Sequence, residues 1–334
     1  MKSPISNKEM LIQRTKKTFK FRKEEYSIEY HYFLCEESNE KFTSIELDEV
    51  NTNQIYNQYR DKHNLPFPEE IKDIREKYEL SASKMAKVLG FGINCYRNYE
   101  NGEVPSQSNG KLIQLISDPT KFRHLVELDE LDEKTKNRLI KKVDDLIEKE
   151  KNNQFNFELE DYFLGNHLPD IFSGYRKPSI ERLAEMIVFF AEHVQPWKTK
   201  LNKLLFYADF LHFKKTCYSI SGARYRAIDM GPVPNNFNSI FEYVANMDYV
   251  DIEFKQFANN SIGEKFKPFS GRKFNYKLFN DRELEVLNLI AKKFKNVRTQ
   301  KMIDISHREL GWLNNYHNGK KLISYEFGFE LNQI

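Results

Sequence analysis

One stretch of the chain decides how its N-terminal half is organised: Ser81-Ala82-Ser83-Lys84-Met85-Ala86-Lys87-Val88-Leu89-Gly90-Phe91-Gly92-Ile93-Asn94-Cys95-Tyr96-Arg97-Asn98-Tyr99-Glu100-Asn101-Gly102. Ser81 or Ser83 is suited to cap a first short helix, which Gly90 ends. Phe91-Gly92 then predicts a tight turn, and a second helix runs over Ile93–Glu100. Two short helices joined by a turn of small residues predict a helix-turn-helix, whose second helix presents side chains to the base edges of DNA.

The flanking sequence predicts further short elements on both sides of this stretch. Upstream, alternating apolar residues within Glu24–Leu47 predict a β-hairpin, and Glu46–His63 has the apolar spacing of a helix. Three more helices are expected around the central stretch, at Glu69–Tyr78, Pro105–Ile116 and Pro119–Leu128. Tyr96 and Tyr99 are expected to pack in the core of this bundle rather than to face a ligand.

Downstream of the bundle, the composition of the chain changes twice. Asp129–Asn153 is a highly charged helical stretch, and Asn152–Gly174 is rich in Asn and Phe and is expected to be irregular. The remainder predicts an independent α+β unit with helices at Ile180–Val194 and Lys198–Thr216. Strands are expected in this unit at Tyr225–Met230, Tyr249–Phe257 and Lys265–Leu278, and further helices at Phe237–Met247, Asp281–Phe294 and Thr299–His307.

The chain is therefore predicted to be α+β and predominantly helical, with four parts. Residues 1–64 form a basic arm with a hairpin and helix, and residues 65–128 form the helix-turn-helix bundle. Residues 129–174 form a charged linker helix followed by an irregular linker, and residues 175–334 form the C-terminal α+β domain.

The central stretch resembles the Xre/Cro-type helix-turn-helix, particularly the variant found in MqsA-type antitoxins. That variant has a Gly-rich turn followed by V-N-x-[aromatic]-x-x-Y-E-x-G, and Gly92–Gly102 keeps the Asn, the Tyr-Glu pair and the last Gly in register. The resemblance implies that Asn94 pairs with adenine. Where the family places a basic second reader, this chain has Asn98. Arg97 is expected to meet phosphate or a neighbouring base, and Lys84 and Lys87 to contact phosphate.

The same resemblance implies a zinc-binding segment with two C-x-x-C pairs upstream of the helix-turn-helix. Here the matching stretch, Tyr30–Phe42, keeps only Cys35, with Ser38 at the position of a second thiol. Because structural zinc requires four ligands, we expect a hairpin that has kept its shape without a metal.

Three motifs near the C-terminus resemble the Panacea domain, also called SocA-like, of antitoxins. They are K-L-N-K-L-L-F-Y-A-D at Lys200–Asp209, A-I-D-M-G-P-V-P at Ala227–Pro234, and S-H-R-E-L-G-W at Ser306–Trp312. The resemblance covers about Arg176–Phe327 and implies neutralisation of a partner toxin by direct binding, without catalysis. The residues predicted to contact the toxin, since Tyr and Trp are enriched at interface hot spots, are Lys200, Lys203, Tyr207, Tyr225 and Trp312.

Composition limits the remaining classes of function. The 52 Lys and Arg against 49 Asp and Glu give a net charge of +3, which excludes a globally basic nucleic-acid binder but not a local DNA-reading face. Met1–Lys23 carries eight basic residues and one acid, so it is either a frayed terminus or an arm that contacts phosphate. Cys35, Cys95 and Cys217 are scattered, so no disulfide framework, metal or cofactor is expected. Without a secretory segment or a long apolar run, the expected location is the cytoplasm.

The sequence thus predicts a non-enzymatic antitoxin with three partners: a cognate toxin encoded by an adjacent gene, operator DNA, and a second copy of the chain. Two alternatives remain, a plain DNA-binding transcription regulator and an adaptor that delivers its partner to a protease. His307, beside Glu309 and Trp312, lacks an obvious nucleophile or metal partner, so a structural role is expected for it.

Overall fold

A computed structural model describes residues 1–128, 132–152, 154–257 and 260–334 of the chain. The expected class is confirmed, because the chain is predominantly helical with small antiparallel sheets. Within the described residues, no helix is long and apolar enough to span a membrane. Residues 129–131 and 153 of the predicted linker, and residues 258–259 at the edge of a predicted strand, lie outside the described residues.

The chain begins with a three-stranded sheet in the order β1-β2-β3, formed by Leu11–Phe21 (β1), Glu24–Leu34 (β2) and Lys41–Phe42 (β3). Arg22 and Lys23 join β1 to β2 and both have positive φ, 46° and 71°. A two-residue turn of this geometry matches the right-handed twist of its strands. The expected basic arm is therefore largely a β-strand, so the interpretation of Met1–Lys23 as a frayed terminus is wrong for this part.

Eight helices follow among the described residues. They are Ile45–His63 (α1), Pro68–Lys77 (α2), Ala82–Val88 (α3), Cys95–Glu100 (α4), Gln107–Leu115 (α5), Pro119–Leu128 (α6), Glu133–Asn152 (α7) and Gln154–Leu164 (α8). Side chains from α2 to α7 share one core, in which Ile71, Tyr78, Tyr96 and Phe122 are fully buried. Helix α8 corrects the expectation of an irregular segment over Asn152–Gly174.

The C-terminal part is α+β, as expected. Its helices are Ile180–His193 (α9), Lys198–Thr216 (α10), Phe237–Asn246 (α11), Asp281–Phe294 (α12), Thr299–Ser306 (α13) and Leu310–His317 (α14). Its strands are Tyr225–Ile228 (β4), Gly231–Pro234 (β5), Val250–Gln256 (β6), Ile262–Pro268 (β7) and Leu322–Ile323 (β8), arranged as a β5-β4-β8 sheet and a β6-β7 hairpin. Strand β7 ends at Pro268, and a short 3-10 turn at Tyr276–Leu278 replaces the end of the strand expected at Lys265–Leu278.

Helix α10 is the central element of this part, because it is buried on nearly every side. A helix buried on all sides shows no apolar stripe, and the polar groups on it need partners within the protein.

The chain divides into two compact units. The first comprises Met1–Lys16, Glu29–Asn51 and Glu160–Ile334, and the second comprises Lys17–Ile28 and Thr52–Leu159. Within the first unit, N-terminal and C-terminal segments are joined by a bidentate ion pair from Arg282 to Glu49, at 2.7 and 2.9 Å. The division into the four predicted parts stays a prediction.

Candidate DNA-binding and partner-binding sites

The predicted helix-turn-helix segment forms two short helices, α3 and α4, joined by residues 89–94. Ser81 caps α3, because its hydroxyl accepts a hydrogen bond from the backbone N–H of Lys84 at 3.3 Å. Gly90 lies in the turn with a φ of +67°, where a residue without a side chain is favoured. The cap and the turn residue that the sequence indicated thus set where α3 begins and ends.

Three contacts hold α4 against the rest of its bundle. The Tyr96 hydroxyl donates to the carbonyl of Ile71 at 2.8 Å, and the Tyr99 hydroxyl accepts from the Asn109 side chain at 2.9 Å. Glu100 accepts a hydrogen bond from the Arg75 guanidinium, with 2.5 Å between Nε and Oε1. Tyr96 and Tyr99 are both buried, which confirms the expected core role. These contacts orient the opposite face of α4 towards solvent.

All five residues predicted to bind DNA are exposed. Lys84 and Lys87 lie on α3, Asn94 lies at the start of α4, and Arg97 and Asn98 lie on α4. The Asn94 side chain makes no capping bond to its own helix, so its amide is not committed to α4. The same surface exposes one apolar side chain that the sequence analysis did not single out. The side chain of Ile93, which precedes Asn94, is 73% exposed, and an apolar side chain there is suited to contact a thymine methyl group.

The tip of the β1–β2 hairpin belongs to the same compact unit as α3 and α4. Arg22 fixes the tip, because its guanidinium donates to the carbonyls of Val104 and Pro105 at 2.5 and 2.8 Å. Lys20 and Lys23 are exposed beside it. Part of the basic charge of Met1–Lys23 is therefore displayed by a folded hairpin.

Two turns of the same geometry meet near Cys35. They are formed by Ser3–Lys8 and Cys35–Glu40. In each, the first N–H donates to the carbonyl five residues on, at 2.8 and 3.0 Å, and the N–H of the fifth residue donates back to the first carbonyl, at 2.9 and 2.8 Å. That fifth residue is an Asn with a left-handed φ in both turns, Asn7 at 56° and Asn39 at 58°. The first turn carries S-x-x-S and the second carries C-x-x-S, where a zinc-binding pair of knuckles would carry two C-x-x-C motifs.

The side chains at these four positions do not suit zinc. Ser3 donates a hydrogen bond to the Cys35 sulfur at 3.1 Å, and the Ser6 hydroxyl lies 3.7 Å from the same sulfur. Hydrogen bonds from Ser3, Ser38 and Ser6 lower the pKa of the Cys35 thiol to about 6. One sulfur with three hydroxyls is a poor donor set for a metal that prefers thiolate and imidazole. Within the described residues, no cluster of His, Cys, Asp and Glu could hold a metal ion.

The five residues predicted to contact a toxin are all buried in the C-terminal part, and four of them use their polar atoms internally. Lys200 donates to the carbonyls of Lys295 and Val297, at 3.0 and 2.8 Å. Tyr207, Tyr225 and Trp312 each donate one hydrogen bond, to Glu309 at 3.1 Å, to Asp209 at 2.7 Å and to the carbonyl of Ile228 at 2.8 Å respectively. A toxin would reach Tyr207, Tyr225 and Trp312 only after a rearrangement of the domain, and the role of all four side chains in toxin binding stays a prediction.

Lys203 is the exception among the five. Its side chain is fully buried, and none of the described residues hydrogen-bonds its ammonium nitrogen. Burial lowers the pKa of Lys203 to about 7. His307 has a similar environment, because one of its ring nitrogens is buried without a partner, and burial and the nearby Lys203 lower its pKa. The His307 ring stacks on Trp312, with centroids 3.9 Å apart.

Two regions of the chain match known protein families. Residues 1–131 match the model of the antitoxin component of bacterial toxin-antitoxin systems, MqsA, and residues 201–313 match the model of the SocA-like antitoxin Panacea domain. Neither the curated proteins nor the solved structures give a match. The two family matches confirm both resemblances, in the predicted order along the chain. The chain thus carries antitoxin domains of toxin-antitoxin systems.

Introducing three thiols near Cys35 should create a zinc site. Tetrahedral zinc with Zn–S bonds of about 2.3 Å needs sulfur atoms about 3.8 Å apart. The Ser3 and Ser6 hydroxyls lie 3.1 and 3.7 Å from the Cys35 sulfur, which is near that spacing. We expect the triple variant Ser3→Cys, Ser6→Cys, Ser38→Cys to bind one zinc per chain, measured by metal analysis after dialysis. The same triple variant with Cys35→Ser is the control, since only three thiols remain and zinc should bind far more weakly. Equal zinc content in the two variants would contradict a shared four-position site.

Replacing Lys203 by Met should stabilise the protein in a pH-dependent way. Because the pKa of Lys203 falls from 10.5 to about 7 on folding, the unfolded chain binds one more proton than the folded chain between these two values. The free energy of unfolding of the wild type therefore rises with pH in this window. Below pH 7 the buried ammonium is charged, and its full destabilising effect is present. At about 1.4 kcal/mol per pH unit, Lys203→Met should gain about 3–5 kcal/mol at pH 6.

The melting temperature measured at several pH values tests this prediction. The advantage of Lys203→Met over the wild type should shrink as the pH is raised from 7 towards 10. Lys292→Met, which removes an exposed lysine, should change the melting temperature little at any of these pH values. A Lys203→Met variant that melts below the wild type at pH 6 would show that the buried ammonium has a stabilising partner.

Proposed function

We propose that this protein is an antitoxin that binds its cognate toxin through the C-terminal part and represses its own operon through α3 and α4. The observation that carries the proposal is the succession of two antitoxin-family regions, residues 1–131 and 201–313, in one chain. The toxin would be the product of an adjacent gene, and the complex would form in the cytoplasm. The proposal requires no catalytic group, cofactor or metal.

The exposed side chains of α3 and α4 support the DNA-binding half of the proposal. Asn94 and Arg97 project from a helix that is fixed on its other face by Tyr96 and Glu100. A rigid helix with exposed amide and guanidinium groups has the donors that read adenine and phosphate. Lys84 and Lys87 add positive charge one turn apart on α3.

The DNA-binding half predicts a base-specific role for Asn94. In gel-shift assays with the DNA upstream of the operon, Asn94→Ala should weaken operator binding by about 1–3 kcal/mol and leave binding to unrelated DNA unchanged. Lys84→Ala should weaken binding to both DNAs equally and lower the salt dependence by about one phosphate contact. Lys141→Ala, an exposed change on α7, is the charge control and should have little effect. Equal losses for Asn94→Ala and Lys141→Ala would argue against reading by α4.

The toxin-binding half predicts neutralisation by the full chain. Residues 175–334 alone lack Met1–Lys16 and Glu29–Asn51, which belong to the same compact unit, so the experiment uses the whole protein. Co-expression should relieve the growth arrest caused by the product of the adjacent gene, and the two proteins should copurify. The double variant Asn94→Ala, Arg97→Ala should still neutralise the toxin, because its changes leave the C-terminal part intact.

Three other outcomes would point to a different function. DNA binding without relief of any growth arrest and without a complex would indicate a plain transcription regulator. A shortened half-life of the partner in a pulse-chase experiment would indicate a proteolytic adaptor. Loss of function on replacing His307 in a protein that remains folded would reopen the question of catalysis.

A further inference from the structure

A cleft in the C-terminal part has the size and charge of a site for a small ligand. It lies where α12 ends and α13 begins, beside the start of α10 and strand β7, and its volume is about 300 Å³. That is roughly ten times the ~30 Å³ that one water molecule occupies in the liquid. The cleft is therefore large enough for a small organic ligand rather than a single ion.

The lining of the cleft is strongly positive. Four of the residues that line it are cationic, and none of them is Asp or Glu: Lys200, Lys265, Lys295 and Arg298. Lys295 and Arg298 are exposed, and Lys265 is half-buried. Like charges gathered around one concave space repel each other, and the low-dielectric walls strengthen this repulsion. A bound anion would relieve it, which gives the cleft a preference for negative ligands.

Lys200 supplies a second, independent reason for an anion. Its side chain is only 6% exposed, and its ammonium donates to the carbonyls of Lys295 and Val297. These bonds fix the loop that carries Arg298 but supply no negative charge. Of the described residues, no carboxylate pairs with Lys200, and burial lowers its pKa. Since a buried charge is costly unless a counter-charge accompanies it, an anion in the cleft would stabilise the Lys200 ammonium.

The start of α13 opens on the same cleft. Arg298 occupies the capping position of this eight-residue helix and makes no side-chain capping bond, and Thr299 is its first residue. The first N–H groups of a helix have no partner within the helix, and uncapped ones bind anions well. Trp197 forms an apolar wall, with its ring packed on Phe257 at 5.1 Å between centroids.

We propose that this cleft binds a small molecule bearing a phosphate group, with the phosphate at the start of α13 between Lys200, Lys295 and Arg298. The cations and the helix amides together carry more positive charge than a single bound carboxylate would neutralise. A phosphate group matches them better, because it carries a charge of about −1.5 to −2 at neutral pH. Lysine ammonium groups and helix N-termini are both common phosphate ligands in proteins. The remaining volume beside Trp197 holds the organic part of an ester.

The test measures binding to the full chain by calorimetry in 0.15 M salt. The variant Trp312→Phe, in which Trp197 is the remaining tryptophan, gives a second readout by fluorescence. Inorganic phosphate, ribose 5-phosphate and adenosine monophosphate are the probes, and adenosine, acetate and a polyglutamate peptide are the comparisons. We expect the phosphate-bearing probes to bind and the comparisons not to bind. Esters that bind more tightly than inorganic phosphate would place the organic part in the cleft, and equal affinity would assign the site to the phosphate group alone.

Two double variants of equal charge locate the binding. Lys295→Gln, Arg298→Gln removes two exposed cations from the cleft and should weaken phosphate binding at least tenfold. Lys292→Gln, Lys293→Gln removes two exposed cations of α12 outside the cleft lining and should change the affinity less than twofold. Equal losses in both variants, no binding of any phosphate, or binding of polyglutamate alone would overturn the proposal. None of these results bears on toxin neutralisation, which is measured separately.

Discussion

The buried carboxylate of Asp209 is the constraint on which the C-terminal part depends. It is fully buried on α10 and accepts four hydrogen bonds, from the N–H groups of Ile220 and Ser221, the Ser221 hydroxyl and the Tyr225 hydroxyl, at 2.6–2.8 Å. Burial raises the pKa of Asp209, while these donors favour its charged form. The carboxylate thereby fixes the chain that leaves α10 and the first residue of strand β4. Because each donor would otherwise be buried and unpaired, loss of this one group would disturb the whole junction.

The same principle explains why residues that resemble a binding motif are found inside the domain. Helix α10 is surrounded by protein, so its polar side chains serve as internal ties: Lys200 to the end of α12, Tyr207 to Glu309, and Asp209 to the loop before β4. The sequence identifies these residues as a motif but does not show whether their side chains point into the protein or towards solvent. Periodicity separates an inner face from an outer face only when a helix has both, and α10 lacks an exposed face.

The sequence was most informative where structure is determined locally. Ser81 and Gly90 set the ends of α3, and both are residues with strong positional preferences. Strand β1 was not predicted, because its side chains are nearly all exposed and its sequence therefore lacks apolar alternation. Its position in the sheet depends on pairing with β2, which the sequence of β1 alone does not show. The turn at Ser3–Lys8 escaped for a related reason. Two serines three positions apart do not by themselves predict a turn or a site, and only the folded chain places Ser3 beside Cys35.

The modest net charge of the chain constrains how the proposed DNA binding would work. The second compact unit holds acidic and basic residues in nearly equal number, and some of them are paired with each other, as in the Arg75–Glu100 and Arg123–Asp144 ion pairs. Lys84, Lys87 and Arg97 remain as exposed cations on α3 and α4. Three phosphate contacts give a salt slope of only about −2.7, which is small for a specific repressor. Two copies on a two-fold symmetric operator would double the number of phosphate contacts without additional basic residues in the chain. Dimerisation would therefore raise the affinity for operator DNA.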